Sequence, residues 1–196
     1  MKNLMKMIIV LMMIGTQVNS LMAQSNSTGI YITAQDYKAG KLTYTDAKNL
    51  KLNQFLGGSH ISLISDGKKV KLLKADVFGY RINGVNYRFY KNEAYQVLDT
   101  AGFTLYSHEQ LAPQGKGYTT NASYFFSLNE NTPVTALTIA NINNSFAGQA
   151  DFRYSLENYF HSDSDLAIYD RFNKQYEIKY LYFEHQHRTA TQHASL

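Results

Sequence analysis

The sequence predicts an α+β protein, with an N-terminal antiparallel β-meander or small, partly open barrel followed by a mainly helical C-terminal region. Three observations predict it. The turn pairs Asp66-Gly67 and Asn83-Gly84 each sit between stretches of alternating hydrophobicity. The chain carries 16 Tyr and 11 Phe but no Trp, an aromatic supply suited to sheet faces. Beyond residue 133 the apolar spacing changes from two to three or four residues.

In chain order, the first element is not part of the fold. Lys2 and Lys6 precede the apolar run from Met7 to Ile14, and Leu21-Met22-Ala23 leads to Gln24. This is the pattern of a secretory signal peptide over residues 1–23, with an apolar core much shorter than the roughly 20 residues a membrane-crossing helix needs. Cleavage after Ala23 leaves a polar leader, 24–28, and no transmembrane anchor. It also lowers the balance from 19 basic against 15 acidic residues to 17 against 15, too small an excess for a nucleic-acid groove. The protein is therefore expected in the periplasm or outside the cell, including at the cell surface. With no cysteine, disulfides, thiol nucleophiles and thiolate metal ligands are excluded, and stability must come from packing.

Residues 29–108 form the expected β-rich region. Gly29 to Thr33 reads as a strand. Thr33-Ala34-Gln35-Asp36 then resembles a capping box opening a very short helix, in which the Thr33 hydroxyl accepts an amide and Asp36 reaches back to the cap; Gly40 ends it. Around Asp66-Gly67, a two-residue type I′ turn places Leu63 opposite Val70 and Ile61 opposite Leu72. The other face carries His60, Ser62, Lys69 and Lys71, interrupted by Ile64 and Leu73, which suggest partial cover. Around Asn83-Gly84 the same turn pairs Ile82 with Val85, Tyr80 with Tyr87 and Phe78 with Phe89. Six large side chains share one face, leaving Val77, Gly79, Arg81, Asn86, Arg88 and Tyr90 on the other. Residues 95–98 and 103–106 extend the meander.

Residues 109–122, with Pro113, Gly115 and Gly117, read as a linker, and 123–186 as an α-rich region packed on the sheet. There, Ser123 to Leu128 reads as a strand, Pro133 to Phe146 as a helix with Pro133 in its first turn, and Asp151 to Phe160 as a second helix. Ser164 or Asp165 caps a third. Tyr176 to Phe183 fits both periods, and a helical stripe of Tyr176, Lys179, Tyr180 and Phe183 is preferred. From His185 the chain is polar, and 187–196 is expected to be a flexible tail.

The strongest candidate for recognition is Arg81, Asn86, Arg88 and Tyr90: two planar cations beside an amide and a phenol suit a carboxylate, a phosphate or sugar hydroxyls. The bland alternative is the solvent side of a sheet. His161 with Asp163 and Asp165, and His185 with His187, contain metal-ligand types but lack a Cys partner or an HExxH helix, so no metal and no cofactor is expected. Ser107-His108-Glu109 contains nucleophile, imidazole and acid, yet neighbours in a strand point to opposite faces. Gly57-Gly58 lacks the Lys-Ser or Lys-Thr of a phosphate loop. Lys68-Lys69-Val70-Lys71 suits a protected strand edge.

The segments Gly29-Ile30-Tyr31-Ile32-Thr33-Ala34-Gln35-Asp36-Tyr37, Phe78-Gly79-Tyr80-Arg81, Tyr87-Arg88-Phe89-Tyr90 and Leu105-Tyr106 resemble an uncharacterised secreted protein family of Bacteroidota. The resemblance implies residence in a bacterial envelope and carries over no activity and no catalytic residue. Together these readings give an exported, non-enzymatic binding or accessory protein whose partner is an envelope protein, peptide or glycan. The alternatives are a hydrolase or other enzyme acting on an envelope polymer, and a structural, self-assembling envelope protein.

Overall fold

The computed structural model describes residues 27–45, 48–52, 58–114 and 117–194, so the expected signal peptide and Gly57 lie outside the described residues. The fold is α+β, with antiparallel sheets in the N-terminal part and helices toward the C-terminus, and the sheets do not close into a barrel. The chain divides into two compact units, Met1–Glu93 and Ala94–Leu196.

In the first unit, β1 (Gly29–Tyr31) runs into α1 (Ala34–Lys38), and the capping box at its start is complete: the Thr33 hydroxyl accepts from the Asp36 amide and Asp36 accepts from the Thr33 amide. Gly40 has φ +63, the left-handed geometry that lets the chain leave the helix. β2 (Lys48–Lys51), β3 (His60–Ser65) and β4 (Lys68–Leu73) form one sheet in that order. The Asp66-Gly67 turn has φ +50 and +72, as a type I′ turn requires, and it sets the expected register, Leu63 against Val70 and Ile61 against Leu72. Ile61 and Leu63 are buried, whereas Ile64 and Leu73 are 38% and 41% exposed. β4 is an edge of its sheet, and Lys68, Lys69 and Lys71 all lie exposed along it.

β5 (Gly79–Ile82) and β6 (Val85–Tyr90) are the Asn83-Gly84 hairpin, with φ +51 and +80 in the turn and Tyr80 opposite Tyr87. Those rings stack at 4.6 Å, and Phe89 lies 5.3 Å from Tyr80. β1 pairs with β5, so Ile30 and Tyr31 complete this sheet from the other side. Gly79 tolerates no replacement, because a Cβ there would sit 2.0 Å from the Tyr87 carbonyl oxygen.

The second unit contains β7 (Glu93–Asp99, entered from the last residue of the first unit), β8 (Thr104–Gln114), β9 (Gly117–Ser127) and β10 (Thr135–Ala136), hydrogen-bonded in that order. The linker expected over 109–122 is thus corrected: apart from residues 115 and 116, which are not described, it is strand, paired from Thr104 with Ser127 to Gln114 with Gly117. A long two-stranded ladder satisfies its backbone groups without any core pattern, which is why composition there read as loop.

The expected helix over 133–146 is shorter than its period suggested. Val134 is buried beside β10, and α2 covers only Ile139–Ser145, capped by the Thr138 hydroxyl on the Asn141 amide. α3 spans Ala150–Tyr159, followed by a 3-10 turn at Asp163–Ala167 whose cap is Ser162, not Ser164 or Asp165. A small hairpin, β11 (Tyr169–Asp170) and β12 (Gln175–Tyr176), leads into α4, Glu177–Ala194. The tail expected from 187 is therefore helical to Ala194. The predicted stripe was also rotated: Ile178, Lys179, Leu181 and His185 are buried, and Tyr180 is 46% exposed.

Phe103, in the turn before β8, and Leu105 and Phe126 of the sheet meet Phe152 and Leu156 of α3 and Ile178 and Leu181 of α4 in one core. Each such side chain contributes roughly 1.5–3 kcal/mol by leaving water. No described helix is long and apolar enough to cross a membrane.

Candidate functional site

The register of β5 and β6 puts Arg81 opposite Asn86 and Gly79 opposite Arg88, so the four predicted residues Arg81, Asn86, Arg88 and Tyr90 do share one sheet face. Tyr31, opposite Gly79 on β1, joins them. The Asn86 side-chain oxygen is the hub: it accepts from Arg81 Nε at 2.8 Å and from the Tyr31 hydroxyl at 3.0 Å. Burial raises the Tyr31 phenol pKa while the Arg81 cation opposes the rise. The guanidinium plane of Arg81 is consequently held by an acceptor that is itself held by a second donor.

Arg88 behaves differently. It is 6% exposed, with its guanidinium carbon 5.4 Å from the Phe78 ring centroid and 5.9 Å from that of Tyr90. Tyr37 stacks on Phe78 at 4.9 Å and meets Tyr31 edge-on at 5.2 Å. The face expected to offer two guanidiniums to solvent thus shelters one among aromatic rings and presents the other half-buried. The alternation of polar and apolar residues along β6 was visible in sequence. The aromatic wrapping of Arg88 was not, because Phe78 meets it from outside the strands and is itself stacked on Tyr37.

The remaining candidates have structural partners. Asp163 Oδ1 accepts from the Ile139 amide at the start of α2. Asp165 Oδ2 accepts from the His161 and Ser162 amides, and the hydrogen bonds from Ser162 lead the causes that hold its pKa down. His108 Nδ1 lies 3.0 Å from the Ala94 carbonyl, with its ring against Tyr95, and residues 107–109 pair in series along the ladder. His185 packs near Phe152, and Arg188 pairs with Glu184. Among the described residues no three His, Cys, Asp or Glu side chains gather to hold a metal ion.

Two groups that the sequence did not single out are buried cations. Lys74 donates to the Asn92 carbonyl at 2.8 Å, and Lys179 donates to the carbonyls of Ala101, at 2.6 Å, and Phe103. Their signal in sequence was slight: Lys74 follows an alternating strand, and Lys179 was one member of the preferred helical stripe with Tyr176, Tyr180 and Phe183, not marked off from them. No protein-family model, curated protein or solved structure matches the chain.

Proposed function

We propose that the protein is an exported, non-enzymatic binding or accessory protein of the bacterial envelope, recognising a carboxylate, phosphate or sugar hydroxyl on an envelope protein, peptide or glycan through the Arg81–Asn86 pair. The observation that carries this reading is the shared acceptor: Asn86 Oδ1 takes both Arg81 Nε and the Tyr31 hydroxyl, fixing a half-buried guanidinium before any ligand arrives. A group already ordered loses little side-chain entropy on binding, and arginine in such a setting suits planar, bidentate recognition. The signal-peptide pattern of residues 1–23 and the resemblance to secreted Bacteroidota proteins support export.

The test is a competition-controlled binding screen against envelope proteins, peptides and glycans, repeated with Arg81→Ala and Arg81→Lys. The expected result is a ligand whose affinity falls about tenfold or more in Arg81→Ala, with Lys restoring only part because it lacks the planar fork. Retention of the parent's thermal midpoint shows that the loss is local. A screen with no surviving ligand, or affinities unchanged by Arg81→Ala, overturns the reading.

A further inference from the structure

The two halves of the chain carry opposite charge. Residues 24–93 hold 11 Lys and Arg against 5 Asp and Glu, whereas residues 94–196 hold 6 against 10, so a nearly neutral total conceals a basic first half. Within that half the excess gathers on the β2–β3–β4 sheet. Its strands contain Lys48, Lys51, Lys68, Lys69 and Lys71 and no acid. The acids nearest in sequence are Asp46, which lies outside the described residues, Asp66 in the hairpin turn and Asp76 beyond the end of β4. The lysines outnumber them.

Register sorts the side chains, because cross-strand partners share a face. Ile61 and Leu63, with Leu72 and Val70 opposite them, make the inner face. Ser62, Ile64, Lys69, Lys71 and Leu73 therefore lie on the outer one, and Lys51, paired with Ser62, joins them from β2. Lys51, Lys69 and Lys71 are exposed, and no described residue forms an ion pair with them. Ile64 and Leu73 lie among them, also exposed. Lysines on the two edge strands guard against unwanted strand pairing. Guarding does not explain why aliphatic side chains stay in water between them.

A face with cations on its flanks, aliphatic side chains between them and no acid matches a surface that is negative outside and apolar beneath, as an anionic bilayer leaflet is. The residue types narrow the choice. Lysine is a flexible point charge suited to a diffuse layer of headgroups, whereas arginine suits fixed, bidentate contacts. None of the three strands contains Phe, Tyr or Trp on which a nucleic-acid base could stack.

We propose that the outer face of the β2–β3–β4 sheet docks the protein on an anionic lipid surface, with Lys51, Lys69 and Lys71 among the headgroup phosphates and Ile64 and Leu73 against the apolar boundary below them. This docking is distinct from the Arg81 contact and does not rest on it.

The test is flotation of the full-length product, as processed by its host, with phosphatidylcholine vesicles and with vesicles containing phosphatidylglycerol. The expected result is flotation with phosphatidylglycerol only, lost as salt rises. Lys69→Gln with Lys71→Gln should raise the lipid concentration at half-binding about 25-fold, roughly fivefold for each lysine. The same loss of charge through Lys38→Gln with Lys41→Gln, exposed positions outside this sheet, should raise it by less than about fivefold. The chain has no Trp, so Leu73→Trp places a single fluorophore on the face, and Tyr154→Trp on α3 is its control. Only the fluorophore at 73 should shift to the blue with phosphatidylglycerol vesicles. No flotation, equal flotation with phosphatidylcholine, equal losses from the two double variants, or an equal shift at position 154 would each overturn the proposal. An equal blue shift with soluble polyphosphate would mark the face as a site for a free polyanion, and would overturn it too.

Discussion

Among the described residues, each unit buries one lysine against a turn, and the two turns are built on different terms. In the first, Lys74 is 3% exposed and donates to a single carbonyl, that of Asn92, with the Phe89 ring centroid 5.8 Å away. Burial lowers its pKa and Glu93 opposes the shift. The turn it holds has two non-glycine residues at positive φ, Lys91 at +50 and Asn92 at +66. In the second, Lys179 is 1% exposed, donates to two carbonyls, lies 3.8 Å from Asp99 Oδ1 and sits 3.8 Å from the Phe103 ring centroid. Burial pushes it down to about 8 against the pull of Asp99. Its turn has a glycine at positive φ, Gly102 at +73.

The difference teaches how a desolvated cation can be retained. Lys74 secures a corner with one charge-assisted bond. Lys179 gathers two carbonyls, a carboxylate and an aromatic face, and in doing so ties α4 to the β7–β8 turn beneath the main core. A cation with more acceptors is harder to remove, because each acceptor left behind is also buried.

The largest expected effect follows directly. Lys179→Ala should destabilise the protein by about 3 kcal/mol, since it strands buried carbonyls and removes a packed stem, against about 1–2 kcal/mol for Lys74→Ala. Urea unfolding followed by far-UV circular dichroism measures both, and equal losses would break the comparison.

Next come the turns themselves. Gly102→Ala should lose about 2 kcal/mol, because φ +73 strains any side chain and a Cβ would approach the Tyr182 ring to 2.6 Å. Lys91→Gly should change stability in the opposite direction, by about 0.5–1 kcal/mol, if relief of left-handed strain outweighs the lost contact of Lys91 with the Tyr90 ring. Thermal midpoints of the two variants are the measurement, and a destabilised Lys91→Gly would show that the Lys74 turn depends on that ring contact.

The last effect is electrostatic, and it is read by its sign. In the folded protein Lys179 sheds its proton near pH 8, while in the unfolded chain it does so only near pH ~10.4. Between those values the unfolded state holds more protons, so stability relative to Lys179→Met should be flat below about pH 8 and rise from there toward about pH 10. Paired urea titrations across that range check the sign; a fall with pH would mean that the clamp works chiefly through the charged ammonium.

The sequence placed Lys179 in the expected helical stripe but gave no sign of its carbonyl partners, and it gave no sign of Lys74 at all. Lys74 ends a run that also contains the exposed Lys68, Lys69 and Lys71, and nothing in its identity separates it from them. What distinguishes it is the 3-10 turn at Lys74–Asp76, which aims the side chain back toward Asn92. Of the candidate recognition face, the sharing of one side by Arg81, Asn86, Arg88 and Tyr90 was legible, because a two-residue turn and a period of two leave only one pairing. The burial of Arg88 and the entry of Tyr31 were not, since both depend on which segments lie alongside the hairpin.

By itself, then, the sequence determined what rests on neighbours in the chain: the two type I′ hairpins and their registers, the Thr33–Asp36 capping box, and the α3 helix. Only the tertiary structure decided what rests on distant partners. It made residues 109–114 and 117–122 into a ladder, ended the Pro133 segment in an edge strand before a short α2, carried α4 past His185, and chose which cations face water. Local turn and cap chemistry acts over a few bonds and leaves a readable mark, whereas burial is a property of surfaces brought together from far apart and marks no residue in advance.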